Sequence, residues 1–169
     1  MVRGLRYAGA MTDHLPHQPV SSDAVEWDVL DHGRFGSRWR HLTKAAMGPE
    51  RKWRVGVLIE ELPPGKQSCP FHYHMLEEEH VLVLEGTCTL RLGDQRLTLK
   101  TGDYACFPAG EKIGHCLINE TDKTCRYLVV GENDPHESCV YPDSNKVSSR
   151  WLGERYDRAA TKDYFDGEE

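Results

Sequence analysis

The chain has 169 residues, 28% of them charged, and carries a net charge of −6. That length supports one hydrophobic core and rarely two, and its scattered Lys and Arg residues form no basic block able to track a phosphate backbone, so nucleic acid is not an expected partner. The longest apolar runs, such as VLVLEG and YLVV, are too short to span a bilayer, and the opening MVRGLRYAGAMTDHLPHQPV lacks a signal peptide's continuous apolar centre; a cytoplasmic protein without a membrane partner is expected.

Residues 1–20 mix His, Pro, Asp and Gly with neither helical nor strand period and read as a loose N-terminal arm, with Met11 an alternative start. Residues 21–52 carry Trp27, Phe35 and Trp39 among charges and glycines and read as irregular, with short strands at most. From Trp53 the texture changes to β-type runs separated by turn signals: WRVGVLIEEL, HVLVLEG, TCTLRL, QRLTLK, YACFP, KIGHCLIN and CRYLVVG. Within them LRLGDQRLTL alternates apolar and polar residues around Gly93 and Asp94, the composition of a two-residue hairpin with a primed turn. Residues 132–169 are polar and turn-rich, which predicts an outer wrap with a short helix near Leu152–Ala160. The fold class is all-β, a barrel or sandwich, organised as one domain over 21–169 with its barrel core at about 53–131. Cys69, Cys88, Cys106, Cys116, Cys125 and Cys139 contain no CxxC pair and are expected to be reduced, mostly buried thiols.

Chemistry concentrates in PFHYHMLEEEHVLVLEG, residues 70–86. Strand residues two apart share a face, so His72 and His74 project together while Phe71 and Tyr73 face the other way. Two imidazoles are half of a metal site, which a carboxylate from Glu77, Glu78 or Glu79 and a further imidazole, such as His115, can complete. His115 lies in GDYACFPAGEKIGHCLIN, where turns at Gly102-Asp103 and at Pro108-Ala109-Gly110 lead into another strand.

These two segments resemble the cupin superfamily, whose motifs read G(X)5HXH(X)3-4E(X)6G and G(X)5PXG(X)2H(X)3N. His72, His74, Glu79 and Gly86 fit the first, with Gly65 one residue early; Gly102, Pro108, Gly110, His115 and Asn119 fit the second, with two extra residues before His115 that preserve strand parity. The resemblance implies a double-stranded β-helix, the cupin or jelly-roll barrel, holding one divalent metal ion per subunit (Fe, Mn, Zn or Ni) on His72, His74, Glu79 and His115. Glu79 is preferred because Glu78 would put Gly86 out of step; Glu78 is the alternative carboxylate ligand or a supporting partner, and Glu77 reaches solvent. His80, opposite Glu79, is structural, and His14, His17, His32, His41 and His136 read as surface or loop.

The segments ELPPGKQSCPFHYHMLEEEHVLVLEGT, CRYLVVGENDPHESCVYPDSNKV and LGERYDRAATKDYFDGE further look like a bacterial single-domain cupin family sometimes labelled sugar-phosphate-isomerase-like, over a stretch from about Trp53 to the C-terminus. Such a site leaves coordination positions open for a small polar substrate, suiting isomerase or lyase chemistry or, with Fe(II), dioxygen chemistry. The alternative is a non-catalytic small-molecule-binding or sensing module. Tyr104, Tyr127, Arg126 and Glu78 are the available proton carriers, and none is singled out as catalytic. The resemblance also implies a homodimer.

Overall fold

The computed structural model describes residues 19–48 and 50–168. The expected arm up to residue 18, with Met11, His14 and His17, therefore lies outside the described residues. The strands in chain order are β1 (Asp28–His32), β2 (Phe35–His41), β3 (Val55–Leu62), β4 (Tyr73–His74), β5 (Glu79–Glu85), β6 (Thr87–Leu92), β7 (Gln95–Lys100), β8 (Tyr104–Phe107), β9 (His115–Ile118), β10 (Cys125–Glu132), β11 (Ser138–Tyr141), β12 (Lys146–Ser149) and β13 (Glu154–Asp157); one short helix, α1 (Leu42–Met47), follows β2.

Six strands form one antiparallel sheet in the order β1-β2-β3-β10-β5-β8. Opposite it stand a four-stranded sheet, β13-β12-β11-β4, and a three-stranded sheet, β7-β6-β9. A single antiparallel bridge between His72 and His115 stitches these two together: the His72 amide donates to the His115 carbonyl at 3.2 Å, and the His115 amide donates back at 2.7 Å. The result is a jelly-roll β-barrel. Its core packs Leu62, Val81, Val83, Leu90, Phe107 and Tyr127 from both layers.

The β6–β7 hairpin turns at Gly93 and Asp94 as the alternation implies, with Leu92 paired to Gln95. Only Gly93 has positive φ (55°), the pattern of a II′ turn, which needs glycine at its first central position. Asn119 is fully buried and closes the second motif: its amide donates to the carbonyls of Leu62 (2.7 Å) and Lys123 (2.8 Å), while its oxygen accepts from the Thr121 amide (3.0 Å) and hydroxyl (2.8 Å).

Two regions differ from the sequence-based expectation. Residues 28–41, read as irregular, form a regular hairpin turning at Gly33, which has positive φ (58°); β1 is almost entirely exposed, so no apolar alternation marks it. The helix expected near Leu152–Ala160 is instead strand β13, antiparallel to β12, followed by a 3-10 turn at Arg158–Ala160. Gly153 at φ 68° supplies the reversal that a helix could not contain.

Candidate metal centre

His74 in β4, His72 immediately before it and His115 at the start of β9, joined by the bridge, stand on one wall of the barrel, and Glu79, the first residue of β5, stands on the other. One ligand-type atom from each of the four lies within 4.8 Å of all the others. His72 Nε2 and His74 Nε2 are 3.1 Å apart, His74 Nε2 and Glu79 Oε2 3.6 Å, and His115 Nε2 and Glu79 Oε1 3.8 Å. Ligands at the usual 2.0–2.1 Å from a divalent ion are separated by about 3.0 Å along an octahedral edge and about 3.4 Å along a tetrahedral one. The observed separations therefore fit a metal shell slightly relaxed.

Each ring is oriented from behind. The His72 Nδ1 lies 2.8 Å from the Pro70 carbonyl, so this nitrogen carries the proton and Nε2 presents its lone pair. Burial and the neighbouring His115 lower the His72 pKa to about 4. The His74 Nδ1 faces the Glu137 carboxylate at 3.2 Å; burial alone would lower its pKa, but Glu137 and Glu79 outweigh it and raise it to about 9. His115 stacks flat on Phe107 with 3.7 Å between ring centroids. Both its ring nitrogens are buried and lack a hydrogen-bond partner among the described residues. An orphaned buried imidazole is costly unless something satisfies it, and a metal ion is the group this donor set fits. Glu79 is held as a carboxylate: burial opposes ionisation, but the surrounding histidines push its pKa far below the ordinary range.

Two of the three consecutive glutamates sit where the sequence did not place them. Glu77 does not reach solvent; it is buried, at 4% exposure, bonded through both oxygens to the Arg150 guanidinium and accepting the Asp134 amide at 2.6 Å. The barrel wall closes over it because the turn between β12 and β13 supplies that cation. Glu78 faces away from the four-residue cluster and pairs with His80 Nε2 at 2.9 Å; His80 Nδ1 contacts the Tyr104 hydroxyl at 2.6 Å on the same outer surface. His41 is partly buried and caps α1 by accepting the Lys44 amide, while His32 and His136 are exposed.

Two residues had no sequence signal strong enough to be singled out. Glu137 is 2% exposed and accepts the amides of Met75 (3.0 Å) and Leu76 (2.8 Å) besides facing His74. Glu60 is the second. It lines an inner cavity of about 280 Å³ together with the four clustered residues, Ser37 and Tyr127. Burial pushes the Glu60 carboxyl up to about 7, with the nearby Ser37 and Tyr127 hydroxyls opposing and the Glu79 charge adding to the rise. The buried Tyr127 hydroxyl completes no hydrogen bond among the described residues. In β3 Glu60 occupies the inward register between Leu58 and Leu62, and a charge at an inward position of an alternating strand is the mark that identifies it. Neither Tyr104 nor Arg126 lines that cavity; Tyr127 does.

Residues 58–131 match the family described as Cupin domain. Residues 58–131 are a cupin domain. Among solved structures, the chain is similar to a sugar phosphate isomerase of the cupin superfamily from Silicibacter pomeroyi, at 29% identity, 87% coverage of this chain, 97% of that one and a TM-score of 0.72. A candidate sugar phosphate isomerase from Acidithiobacillus ferrooxidans matches at 26% identity, with 83% and 90% coverage and a TM-score of 0.74. Among sequence relatives, quercetin 2,3-dioxygenase of Bacillus subtilis is 28% identical over 95 residues, which is 50% of this chain but 28% of that enzyme's length. Among the described residues no helix of this chain is long and apolar enough to cross a membrane.

Proposed function

We propose that this cupin is a metal-dependent enzyme that moves a proton on a small polar substrate, an isomerase or lyase type of reaction, with His72, His74, Glu79 and His115 as the metal ligands. The observation that carries this reading is that the four ligand-type side chains and the protonatable Glu60 line one cavity. When bound, a divalent ion (Fe, Mn, Zn or Ni) supplies Lewis-acid polarisation of a substrate oxygen. Glu60, whose carboxyl sits near neutrality, holds or takes the proton at its Oε atom, as a general acid or base near the working pH does best. The unpartnered Tyr127 hydroxyl orients a substrate oxygen or donates to it. Leu58, Val129 and Leu117 line the same cavity and limit its water. The similarity to the two isomerase-named structures supports the same class, and the dioxygenase relative supports the alternative oxygen chemistry of the fold.

Elemental analysis of untagged protein, purified without chelators or a nickel column, tests the reading first. One ion per 19.3 kDa chain is expected, and His74→Ala should lose it and melt at a lower temperature, because a metal bound only by the folded state adds to stability. Solvent hydrogen incorporation into sugar phosphates and hydroxy acids should be abolished by chelation and fall about 10²–10⁴-fold in Glu60→Gln with metal retained. Ligand-induced stabilisation without any product would instead establish a binding module. Pairing into a homodimer belongs to the same proposal, with the exposed Trp151, Leu152 and Tyr156 of the β12–β13 hairpin as contact material; sedimentation showing only a 19.3 kDa species at micromolar concentration would remove it.

A further inference from the structure

A second and larger cavity, of about 420 Å³, meets the histidine cluster from the side of the C-terminal strands. Its lining follows from register. Cys139 in β11 pairs with His74 in β4 on one side and with Ser148 in β12 on the other, and Ser148 pairs with Arg155 in β13. Directly paired residues of antiparallel strands project to the same face, so His74, Cys139, Ser148 and Arg155 form a row across the four-stranded sheet, and all four line this cavity. Three strand spacings of roughly 4.8 Å put the ends of the row on the order of 14 Å apart at the backbone.

The charges along the row are unequal. Arg150 also lines the cavity, but its guanidinium is held by both oxygens of Glu77 and by the carbonyl of Asp134 at 2.8 Å. Glu137, at the inner end, is taken up by two backbone amides and His74. Arg155 makes no side-chain hydrogen bond or ion pair among the described residues, and the Ser148 hydroxyl beside it donates to none of them. A free guanidinium with hydroxyls next to it is a fork for an oxyanion, since its planar donors match carboxylate and phosphate oxygens. On a chain with net charge −6 such a cation is a local feature, not part of a general positive field.

We propose that Arg155, with Ser148, anchors an oxyanion group of the substrate, carboxylate or phosphate, while the other end of the same molecule reaches the histidine cluster through the row. This deepens the proposed function and rests on it for the inner end; the anchor itself stands on the sheet register. The ligand is then a short anionic molecule whose charged group lies a few atoms from the reacting carbon, and the β12–β13 hairpin becomes part of the substrate site.

Calorimetric titration of the full chain with inorganic phosphate, malonate and, as a neutral control, glycerol tests this, in metal-loaded and metal-free protein. Wild type should bind one phosphate or malonate per chain and no glycerol; Arg155→Gln should weaken that binding at least tenfold, Arg155→Lys less, with metal content and melting temperature unchanged in both. The preferred oxyanion tells phosphate from carboxylate. Equal binding by wild type and Arg155→Gln, or no oxyanion binding by wild type, overturns the anchor, and retained metal then leaves the proposed function standing. Arg155-dependent binding in a protein that takes up no metal overturns the metal centre and leaves the anchor.

Discussion

Glu137 carries three obligations on one carboxylate: two backbone amides at the end of β4 and the outer nitrogen of His74. Removing the charge leaves those donors without an ionised acceptor in a site 2% exposed. Glu137→Gln should therefore weaken metal retention about 10–100-fold, as partners behind a metal-bound histidine do, and lower unfolding free energy by about 2–3 kcal/mol. Competition with a chromogenic chelator and denaturant melts measure the two effects. Glu132→Gln, an exposed carboxylate that also accepts an amide, is the control and should change metal retention little. Glu60 gives a pH-dependent outcome in the metal-free protein. Its folded pKa is raised from 4.5 to about 7, so the stability of the neutral form is fully present below pH 4.5 and is lost as pH rises to about 7. The stability of Glu60→Gln relative to wild type should rise across that window and level off above it, by up to about 3 kcal/mol; a flat difference in denaturant melts at successive pH values would contradict the buried placement. At this scale the four clustered residues were legible because motif spacing fixes their strand parity, whereas Glu137 stands 63 residues from His74 with no local signal, and Glu77 looked like a solvated rim until Arg150 closed on it.

Among the elements, the turn before β9 places the tightest packing demand near the site. A Cβ on Gly114 would lie 2.5 Å from Cε1 of Phe71, whose ring is buried with the Arg91 guanidinium 3.6 Å above it. Gly114→Ala must push that ring, and Phe71 and Gly114 directly precede His72 and His115. We expect a loss of about 1–3 kcal/mol together with weaker metal retention, and Phe71→Leu in the Gly114→Ala background should recover part of both; thermal melts and metal titration of the four proteins in the cycle check it. The hairpin at Gly93 was legible because apolar alternation and turn chemistry agree. The hairpin of β1 and β2 was not, because its first strand is exposed and held by pairing to β2, whose other edge adds to the six-stranded sheet at β3. β13 has no buried residue at all, so its strand character exists only through pairing with β12, and no periodicity announces it.

At the scale of the whole molecule, the barrel is assembled from distant segments: β10 pairs with β3 and β5, and β11 returns to β4. Such long-range pairing folds slowly and places the ligand-type residues where late contacts meet. The bridge between His72 and His115 is the narrowest of these contacts, two reciprocal backbone bonds joining two sheets at residues whose side chains also face one another. An ion gripped by both side chains would act as a rivet through a seam, so that losing it unzips the lining of the barrel rather than merely emptying a hole. Amide protons of His72 and His115 should then exchange with deuterium far faster after chelation, while those of β6 and β7 keep their rates; uniform acceleration, or none, would mean that the seam closes without the rivet. A cell short of that metal would hold not an idle copy of the folded protein but one with an open flank, marked out for proteolysis by its own missing fastener.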